Sequence, residues 1–213
     1  MTPYYQDQAV TIYHGDCREI LPQIQPVDLV LTDPPYGIGR DGVKESVSAR
    51  KHGGRKGYEF QGWDDKIPEK EVFALLFSMS LNQIIWGGNY FCEYLPPRMG
   101  WIFWDKGQRI STSDGELAFT SYDTALRVIT LNRVEILIDG AIHPTQKPMK
   151  LMTYCIQHAD KHAPAKSILD PFMGSGTTLR AAKDMGRIAV GVERSEKFCE
   201  LAARRMSQEV LAL

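Results

Sequence analysis

The sequence contains no apolar run of the ~18 residues that a membrane helix requires. Its first ten residues, MTPYYQDQAV, lack the basic-then-apolar pattern of a signal peptide. The cysteines are far apart and form no C-x-x-C pair; they are Cys17, Cys92, Cys155 and Cys199. These absences exclude a small disulfide scaffold, and they predict reduced thiols in a cytoplasmic protein without a membrane segment.

The chain also has almost no net charge. Its 213 residues include 25 Lys and Arg against 26 Asp and Glu, and 43% of them are apolar. This composition excludes a disordered chain, and the length suits one domain with a sizeable core. A near-zero charge argues against a protein that coats nucleic acid through bulk electrostatics. The average is misleading, because residues 37–57 carry a net charge of +4 and the remainder carries −5.

This basic segment, residues 37–57, contains six Gly and almost no large apolar residue. It directly follows a predicted strand end, which is where a flexible ligand-binding loop, at about 37–60, is expected. An ordinary solvated loop is the alternative interpretation. Neutralising its cations is predicted to weaken binding to nucleic acid. Those cations are Arg40, Lys44, Arg50, Lys51, Arg55 and Lys56.

Short apolar runs alternate with stretches of helical periodicity, which predicts an α/β protein. Runs at 116–123 and 125–131 are interpreted as an antiparallel pair at a sheet edge. The remaining predicted strands are 27–35, 82–91, 100–107, 167–172 and 187–193, and the predicted helices are 69–81, 149–162, 174–186 and 195–211.

No metal site is predicted. His158 and His162 are four residues apart and could share a helix face, as zinc ligands do. No Glu lies between them, and Pro164 ends the helix, so we interpret them as polar residues of a solvated last turn.

The predicted strand 27–35 ends in Asp33-Pro34-Pro35-Tyr36. A carboxylate at the carboxyl end of a buried parallel strand points into the crevice where α/β proteins bind ligands. The prolines fix the backbone and leave carbonyl acceptors, and Tyr36 adds a planar face. This combination predicts a pocket for a flat molecule that carries an amino group, although a simple turn is the alternative.

A second strand end has the sequence DPFMGSGTT over residues 170–178, which is typical of the first βα turn of a nucleotide-binding unit. It lacks the Lys of a P-loop and the third glycine of the dinucleotide fingerprint, so a nucleoside is favoured over a pyrophosphate. Glu193 ends the next strand, 19 residues after Gly174 in the sequence, where an acidic side chain holds ribose hydroxyls.

Together these residues resemble the amino-group DNA methyltransferases that use S-adenosylmethionine. Residues 33–36 match the family's catalytic motif, (D/N/S)-P-P-(Y/F/W), and 170–176 match its cofactor-binding D-P-F-x-G-x-G. Residues 143–148, HPTQKP, match its H-P-x-Q-K-P element, and 14–17, HGDC, resemble its G-D element. The catalytic motif precedes the cofactor motif, as in the beta class. The resemblance therefore implies a Rossmann-like, seven-stranded mixed-sheet methyltransferase fold that is circularly permuted.

The resemblance implies one methyltransferase domain, residues 1–213, with a target-recognition segment at about 105–142. It further implies S-adenosylmethionine as cofactor and double-stranded DNA as substrate. The short recognition segment predicts a small target site or a homodimer that contributes a second surface. The implied catalytic residues are Asp33, Pro34, Pro35 and Tyr36, and the implied cofactor contacts are Asp16, Cys17, Asp33, Thr145, Lys147, Asp170, Phe172, Gly174, Ser175, Gly176, Thr177 and Glu193.

The implied reaction is methylation of adenine N6 in a flipped-out base, with Asp33 and the Pro34 carbonyl accepting the two amino N–H bonds. Asp rather than Ser at the first motif position favours adenine over cytosine N4, which remains the alternative. The same residues would also be compatible with methylation of RNA or of a protein amide, with a binding module that does no catalysis, and with a nicotinamide oxidoreductase.

Overall fold

The computed structural model describes residues 1–39, 64–107, 113–132 and 146–208. These residues form one mixed sheet with helices on both faces. The strands are β1 (Tyr5–Gln6), β2 (Val10–His14), β3 (Leu29–Thr32), β4 (Gln83–Trp86), β5 (Trp101–Asp105), β6 (Gly115–Thr120), β7 (Arg127–Thr130), β8 (Ser167–Asp170) and β9 (Ile188–Glu193). The α-helices are α1 (Cys17–Ile20), α2 (Lys70–Met79), α3 (Met149–Asp160), α4 (Thr177–Asp184) and α5 (Glu196–Ser207).

The strand order is β1-β2-β9-β8-β3-β4-β6-β5-β7. The predicted α/β class is confirmed, but the predicted count of seven strands is wrong, because the described residues contain nine. The two strands that were missed are β1 and β2. The carboxylate of Asp7 accepts the N–H groups of Ala9 and Val10 and so forms the turn between them. β2 is short, and its place depends on parallel pairing with β9 at the far end of the chain.

The predicted antiparallel pairing of residues 116–123 with 125–131 is also wrong. Both β6 and β7 pair with β5, β6 in the antiparallel and β7 in the parallel direction. β7 forms the edge of the sheet, where its side chains are mostly exposed. Alternating patterns in the sequence identify both strands, but each of them pairs with β5, which lies between them in the sheet.

Five neighbouring strands, β2, β9, β8, β3 and β4, run parallel. Their carboxyl ends therefore lie at one edge of the sheet, which we call the carboxyl edge. All four residues of β3 are buried, as is typical of a central parallel strand covered on both faces. The motifs that follow β2, β9, β8 and β3 in the sequence consequently meet at this edge.

The core has two parts, one on each face of the sheet. One face packs against α3, α4 and α5, with Trp86 and Trp104 among its fully buried side chains. The other face packs against α2 through Phe73, Leu76 and Phe119. Across the described ranges, no helix has both the length and the apolar character that crossing a bilayer demands.

Candidate active site

Asp33 follows the last residue of β3 and lies at the carboxyl edge, with about a quarter of its side chain exposed. Its Oδ1 accepts a hydrogen bond of 2.5 Å from the Tyr36 hydroxyl, and its Oδ2 contacts the ammonium of Lys147. Lys147, predicted as a cofactor contact, also donates to the Tyr36 hydroxyl at 3.2 Å. The three predicted site residues are thus joined by direct polar contacts.

The turn after Asp33 is held by a residue that the sequence reasoning missed. Asp64 is only 2% exposed, and its Oδ1 accepts the N–H groups of Tyr36 at 2.8 Å and Gly37 at 2.9 Å. Pro34 is buried and Pro35 is half-buried in the same turn. Asp64 is far from the motif in the sequence, and no local pattern marks it as the residue that orients Tyr36.

The ring of Tyr36 lies between a glycine and a second aromatic ring. A Cβ on Gly87 would overlap the ring of Tyr36, and Gly87 has a φ of +72°. Both the contact and the backbone conformation therefore favour glycine at this position. Tyr90 stacks on Tyr36 with a centroid distance of 4.8 Å and an interplanar angle of 16°. Tyr90 is 42% exposed and was not predicted as a site residue, although it follows Gly87-Gly88 closely at a strand end.

The sequence reasoning also missed two charged residues near Lys147, which are Glu116 and Lys106. Lys147 Nζ lies 3.1 Å from Glu116 Oε2, and Lys106 Nζ lies 2.6 Å from Glu116 Oε1. Burial raises the pKa of Glu116, but Lys147 and Lys106 outweigh it and lower that pKa to about 2. A glutamate within the largely apolar run of β6 is a signal that could have identified Glu116.

The protonation states at Asp33 follow from the same contacts. Burial raises the pKa of Asp33, Lys147 lowers it, and Glu116 raises it again, so that it lies above its ordinary value. Burial lowers the pKa of the Lys147 ammonium, but the two carboxylates around it raise it to a larger extent. Burial and Asp33 raise the pKa of Tyr36, so its hydroxyl stays protonated and donates to Asp33.

The second strand end is built differently. Asp170, the last residue of β8, is 3% exposed, and its Oδ1 accepts from the Thr32 hydroxyl at 2.7 Å and the Phe172 N–H at 3.1 Å. Burial raises the pKa of Asp170 to about 6, although hydrogen bonds from Thr178 and Thr32 oppose this shift. Asp170 therefore ties β8 to β3 and fixes the start of the loop that follows.

That loop forms the glycine turn predicted from the sequence. Gly174 and Gly176 have φ values of +51° and +79°, and a Cβ on Gly174 would meet no atom within 4 Å. Glu193, at the end of β9, accepts the Gly174 N–H at 3.0 Å through Oε2 and the Ser195 N–H at 2.8 Å through Oε1. The turn and the acidic strand end are thus brought into contact, and open space remains beside Gly174.

Around this turn, the other predicted residues lie at different depths. Ser175, just before α4, and Thr177, its first residue, are buried. The Ser175 hydroxyl donates to the side-chain Oε1 of Gln146 at 3.3 Å, and the Thr177 hydroxyl accepts from Arg205 at 3.1 Å. Phe172 is half-buried.

Asp16 and Cys17 begin α1 after β2. Asp16 caps this helix by accepting the Arg18 N–H at 2.9 Å, and its carboxylate also pairs with the Arg18 guanidinium at 2.7 Å. Cys17 is buried, and burial raises the pKa of its thiol to about 11, so it remains protonated at neutral pH. The Gly15 N–H donates to the Glu193 carbonyl, which places this segment beside Glu193.

The remaining predicted site residues lie outside the described residues. They are Arg40, Lys44, Arg50, Lys51, Arg55, Lys56 and Thr145. Within the described ranges, no three His, Cys, Asp or Glu side chains are grouped as metal ligands would be. The interpretation of a solvated last turn is wrong for His158, which is only 4% exposed because its ring packs between Tyr122 and Tyr154, whereas His162 is exposed.

The carboxyl edge therefore carries two adjacent centres. One presents a carboxylate and an aromatic ring, which can accept N–H bonds and stack against a planar group. The other presents an open glycine turn with an acidic strand end, which can accept hydroxyl groups while a ligand approaches the backbone. Burial keeps the Cys17 thiol protonated, so this side chain is not an activated nucleophile.

Residues 100–204 match the family described as DNA methylase, N6_N4_Mtase. The chain is 24% identical to the Type II methyltransferase M2.DpnII of Streptococcus pneumoniae, over 97% of this chain and 93% of that protein. It is 26% identical to the Type II methyltransferase M.HinfI of Haemophilus influenzae, over 93% of this chain and 68% of that protein.

Two solved structures share the fold. The PvuII DNA methyltransferase, described as cytosine-N4-specific, superposes with a TM-score of 0.63 at 14% identity and covers 99% of this chain and 90% of its own. M1.HpyAVI in its complex with SAM has a TM-score of 0.60 at 22% identity, over 93% of this chain and all of its own.

Proposed function

We propose that this chain is a member of the N6/N4 DNA methylase family and that it transfers a methyl group from S-adenosylmethionine to the N6 amino group of adenine in DNA. The observation that carries the proposal is the adjacency of the two centres on β3 and β8, which are neighbouring parallel strands. An acceptor site for an amino group thus lies next to a glycine turn suited to a nucleoside. Because the proposed substrate is DNA, we also propose that the chain acts in the cytoplasm.

The residues at the glycine turn fit S-adenosylmethionine. Space beside Gly174 lets a ligand approach the backbone, and Glu193 keeps lone pairs that can accept ribose hydroxyls. From β2 to β3 the carboxyl edge spans three strand spacings, roughly 14 Å, which suits a nucleoside joined to an amino acid. Asp16 and Cys17 would lie at one end of the cofactor, and Asp33 and Phe172 near the other. When bound, the cofactor supplies an electrophilic sulfonium methyl group.

The protein's own part in the reaction is to activate the amine. An exocyclic amine of a purine is a weak nucleophile because its lone pair is delocalised into the ring. Asp33 and the Pro34 carbonyl would accept its two N–H bonds and localise that lone pair towards the methyl group. The N–CH3 bond would form as the S–CH3 bond breaks, S-adenosylhomocysteine would leave, and the surplus amino proton would pass to solvent. These hydrogen bonds strengthen as positive charge develops on the nitrogen, which is the condition for stabilising a transition state.

A base within a duplex cannot reach a residue in this position, so the target base must be flipped out. Tyr36 is the aromatic surface proposed to receive it. Tyr90 covers one face of Tyr36 and is partly exposed, so base binding would displace Tyr90 or add a third ring to the stack. Stacking of a base on an aromatic side chain contributes about 1–3 kcal/mol, enough to offset part of the cost of unstacking.

The preference for adenine rests on Asp33. A carboxylate is a stronger acceptor than a hydroxyl, and the pairing with Lys147 and Tyr36 favours its ionised form. The motif order, catalytic before cofactor, supports assignment to the circularly permuted class. Cytosine N4 is the second candidate, and the fold shared with a cytosine-N4-specific enzyme is compatible with it.

The basic segment 37–57 is proposed to contact DNA phosphates. Replacing Arg50, Lys51, Arg55 and Lys56 together by Gln should weaken DNA binding and reduce the slope of log K against log salt by about 3–4, because each neutralised phosphate contributes about 0.9. Fluorescence anisotropy with a labelled duplex at 50–300 mM salt measures this. A slope equal to that of the native chain would show that other residues hold the phosphates.

A homodimer stays a prediction that sedimentation can test.

The central test is a methyl-transfer assay with radiolabelled S-adenosylmethionine on unmethylated DNA, RNA and total protein. We expect label in DNA and, after digestion, in N6-methyladenine. Label in N4-methylcytosine would show that the target base is cytosine instead of adenine. Label only in RNA or protein would overturn the proposal that DNA is the substrate. Single-molecule sequencing of DNA from expressing cells then identifies the methylated position. Titration calorimetry with S-adenosylmethionine and with NAD separates a methyltransferase from a nicotinamide oxidoreductase.

A further inference from the structure

Four buried or half-buried charged side chains form a continuous row that begins at Asp33. Lys147 Nζ contacts Asp33 Oδ2 and lies 3.1 Å from Glu116 Oε2, and Lys106 Nζ lies 2.6 Å from Glu116 Oε1. The exposed fractions of the Lys147 and Lys106 side chains are only 7% and 11%. The Lys147 ammonium is therefore shared by two carboxylates that come from different strands of the sheet.

This row creates a conflict at Asp33. Both of its oxygens are already engaged, Oδ1 by the Tyr36 hydroxyl and Oδ2 by Lys147. An ammonium held against the carboxylate neutralises the charge that should stabilise a developing positive charge on the target amine. Full activation of the amine therefore requires Lys147 to withdraw from Oδ2.

Lys147 cannot withdraw into solvent, because its side chain is almost fully buried and an unpaired buried charge is strongly unfavourable. Glu116 is a second anion within reach of its ammonium, because Lys147 Nζ already lies 3.1 Å from Glu116 Oε2. Lys106 compensates the second oxygen of Glu116, so Glu116 stays ionised and in place.

We propose that Glu116 is a positioning residue that receives the Lys147 ammonium when the target amine binds Asp33. In the free protein, Lys147 lies between the two carboxylates and keeps Asp33 ionised in its buried position. When the amine arrives, Lys147 moves towards Glu116 and leaves Oδ2 of Asp33 to the amino N–H. This inference rests on the proposed methyl transfer, and it adds Glu116 and Lys106 to the residues that control it.

Two substitutions are expected to shift the pKa of Asp33 in opposite directions. Glu116→Gln removes the alternative anion, so Lys147 should bind Asp33 more tightly and lower the pKa of Asp33. Lys106→Met leaves Glu116 with only Lys147 as a partner, so Lys147 should move away from Asp33 and the pKa of Asp33 should rise. The charged and titratable groups that face this row are Tyr36, Asp170, Tyr90 and Cys155, and both variants leave them unchanged.

The experiment measures kcat for methyl transfer to DNA as a function of pH with the full-length chain. For Glu116→Gln we expect kcat on the plateau to fall about tenfold and the acid limb to move to lower pH by about one unit. For Lys106→Met we expect the acid limb to move to higher pH. A merely structural role would lower the melting temperature and move neither limb. Shifts of the same sign, or no shift in either variant, would overturn the proposal.

Glu19→Gln, on the exposed surface of α1, is the matched control and should leave the pH profile unchanged. The dissociation constant for S-adenosylmethionine, measured by calorimetry, should be the same in all four proteins. If Glu116→Gln does not fold, the direction of the Lys106→Met shift still decides the question. Absence of methyl transfer by the native chain would overturn the proposed function and this inference together, whereas an active native chain with unshifted variants would overturn the inference alone.

Discussion

Two neighbouring strands of the sheet, β3 and β8, end in the same dipeptide, Asp-Pro, but the two carboxylates have different surroundings. Asp33 is bound by the side chains of Tyr36 and Lys147, both of which are long and can rotate. Asp170 is bound by the Thr32 hydroxyl and by the backbone N–H of Phe172. Asp33 thus has donors that a ligand could displace, whereas the donors to Asp170 hold the strands and the turn in place.

This difference separates the proposed reactive position, Asp33, from a structural one, Asp170. At Asp33, the proposed substrate amine would replace a side-chain donor while the backbone keeps its bonds. Replacing the donors of Asp170 would break the connection between β3 and β8 and the start of the glycine turn. The exposed fractions agree, since the Asp33 side chain is 24% exposed and Asp170 is 3% exposed. Asp170 therefore supports the start of the glycine turn.

The largest expected effect that distinguishes the two positions is on catalysis at Asp33. Asp33→Ala should reduce single-turnover methyl transfer about a thousandfold, because the side-chain acceptor for the amino N–H bond is removed. It should reduce the free energy of unfolding by no more than about 1–2 kcal/mol, because Lys147 retains Glu116 as a partner. Rapid-quench assays and urea unfolding measure the two quantities. Asp65→Ala, at an exposed position, is the control. A tenfold loss or less would refute the role of Asp33.

The next effect is on stability at Asp170. Asp170→Ala should lower the free energy of unfolding by about 2–4 kcal/mol, because the Thr32 hydroxyl and the Phe172 N–H lose their acceptor in a buried site. Thr32→Val should cost about 1 kcal/mol, since it removes one of these donors together with its bond. Urea unfolding followed by circular dichroism measures both. If Asp170→Ala were as stable as the native chain, the framework role assigned to Asp170 would be wrong.

The third expected effect is a pH dependence of stability. The folded-state pKa of Asp170, about 6, lies above the ordinary value of 3.8. The folded state therefore binds a proton that the unfolded state releases between about pH 4 and pH 6, and stability falls as pH rises through this window.

Asp170→Asn should remove this contribution while keeping an acceptor for Thr32 and Phe172. Unfolding experiments at pH 4, 5, 6 and 7 should show the native chain losing stability relative to the variant as pH rises. His158, whose pKa burial lowers to about 4, has the opposite effect between about pH 4 and 6.5. It is present in both proteins and cancels in the difference. A constant difference across these pH values would contradict the raised pKa of Asp170.

The two strand-end motifs could be predicted because their chemistry is local. Proline after a buried apolar run ends a strand, and glycines at 174 and 176 permit the positive φ angles of the turn. Glu193 was also predicted to belong to this centre, because a strand-end acid about 20 residues after such a turn is a recurrent arrangement, but its hydrogen bond with the Gly174 N–H was not predicted. Local spacing was therefore sufficient for both centres, and for the family resemblance built on them.

Other features could not be predicted from local patterns. β2 was missed because its identity as a strand depends on pairing with β9. Asp64 and Glu116 were missed because each reaches its partner from a distant segment, Asp64 at the Tyr36 backbone and Glu116 at Lys147. Lys147 was predicted as a site residue, but its contact with Asp33 was not, because nothing local relates positions 33 and 147.

The α/β class, the two strand-end motifs and the chemistry expected of them could be read from the amino-acid sequence, since they follow from residue types at short spacings. The strand order and the side chains that hold each carboxylate came from the folded chain, and with them the distinction between the proposed reactive Asp-Pro and the structural one. The pKa of a buried carboxylate, and the ease with which its donors exchange, depend on neighbouring charges within a few ångströms. Those neighbouring charges are far apart in the sequence, and the pairing of strands in the sheet brings them together.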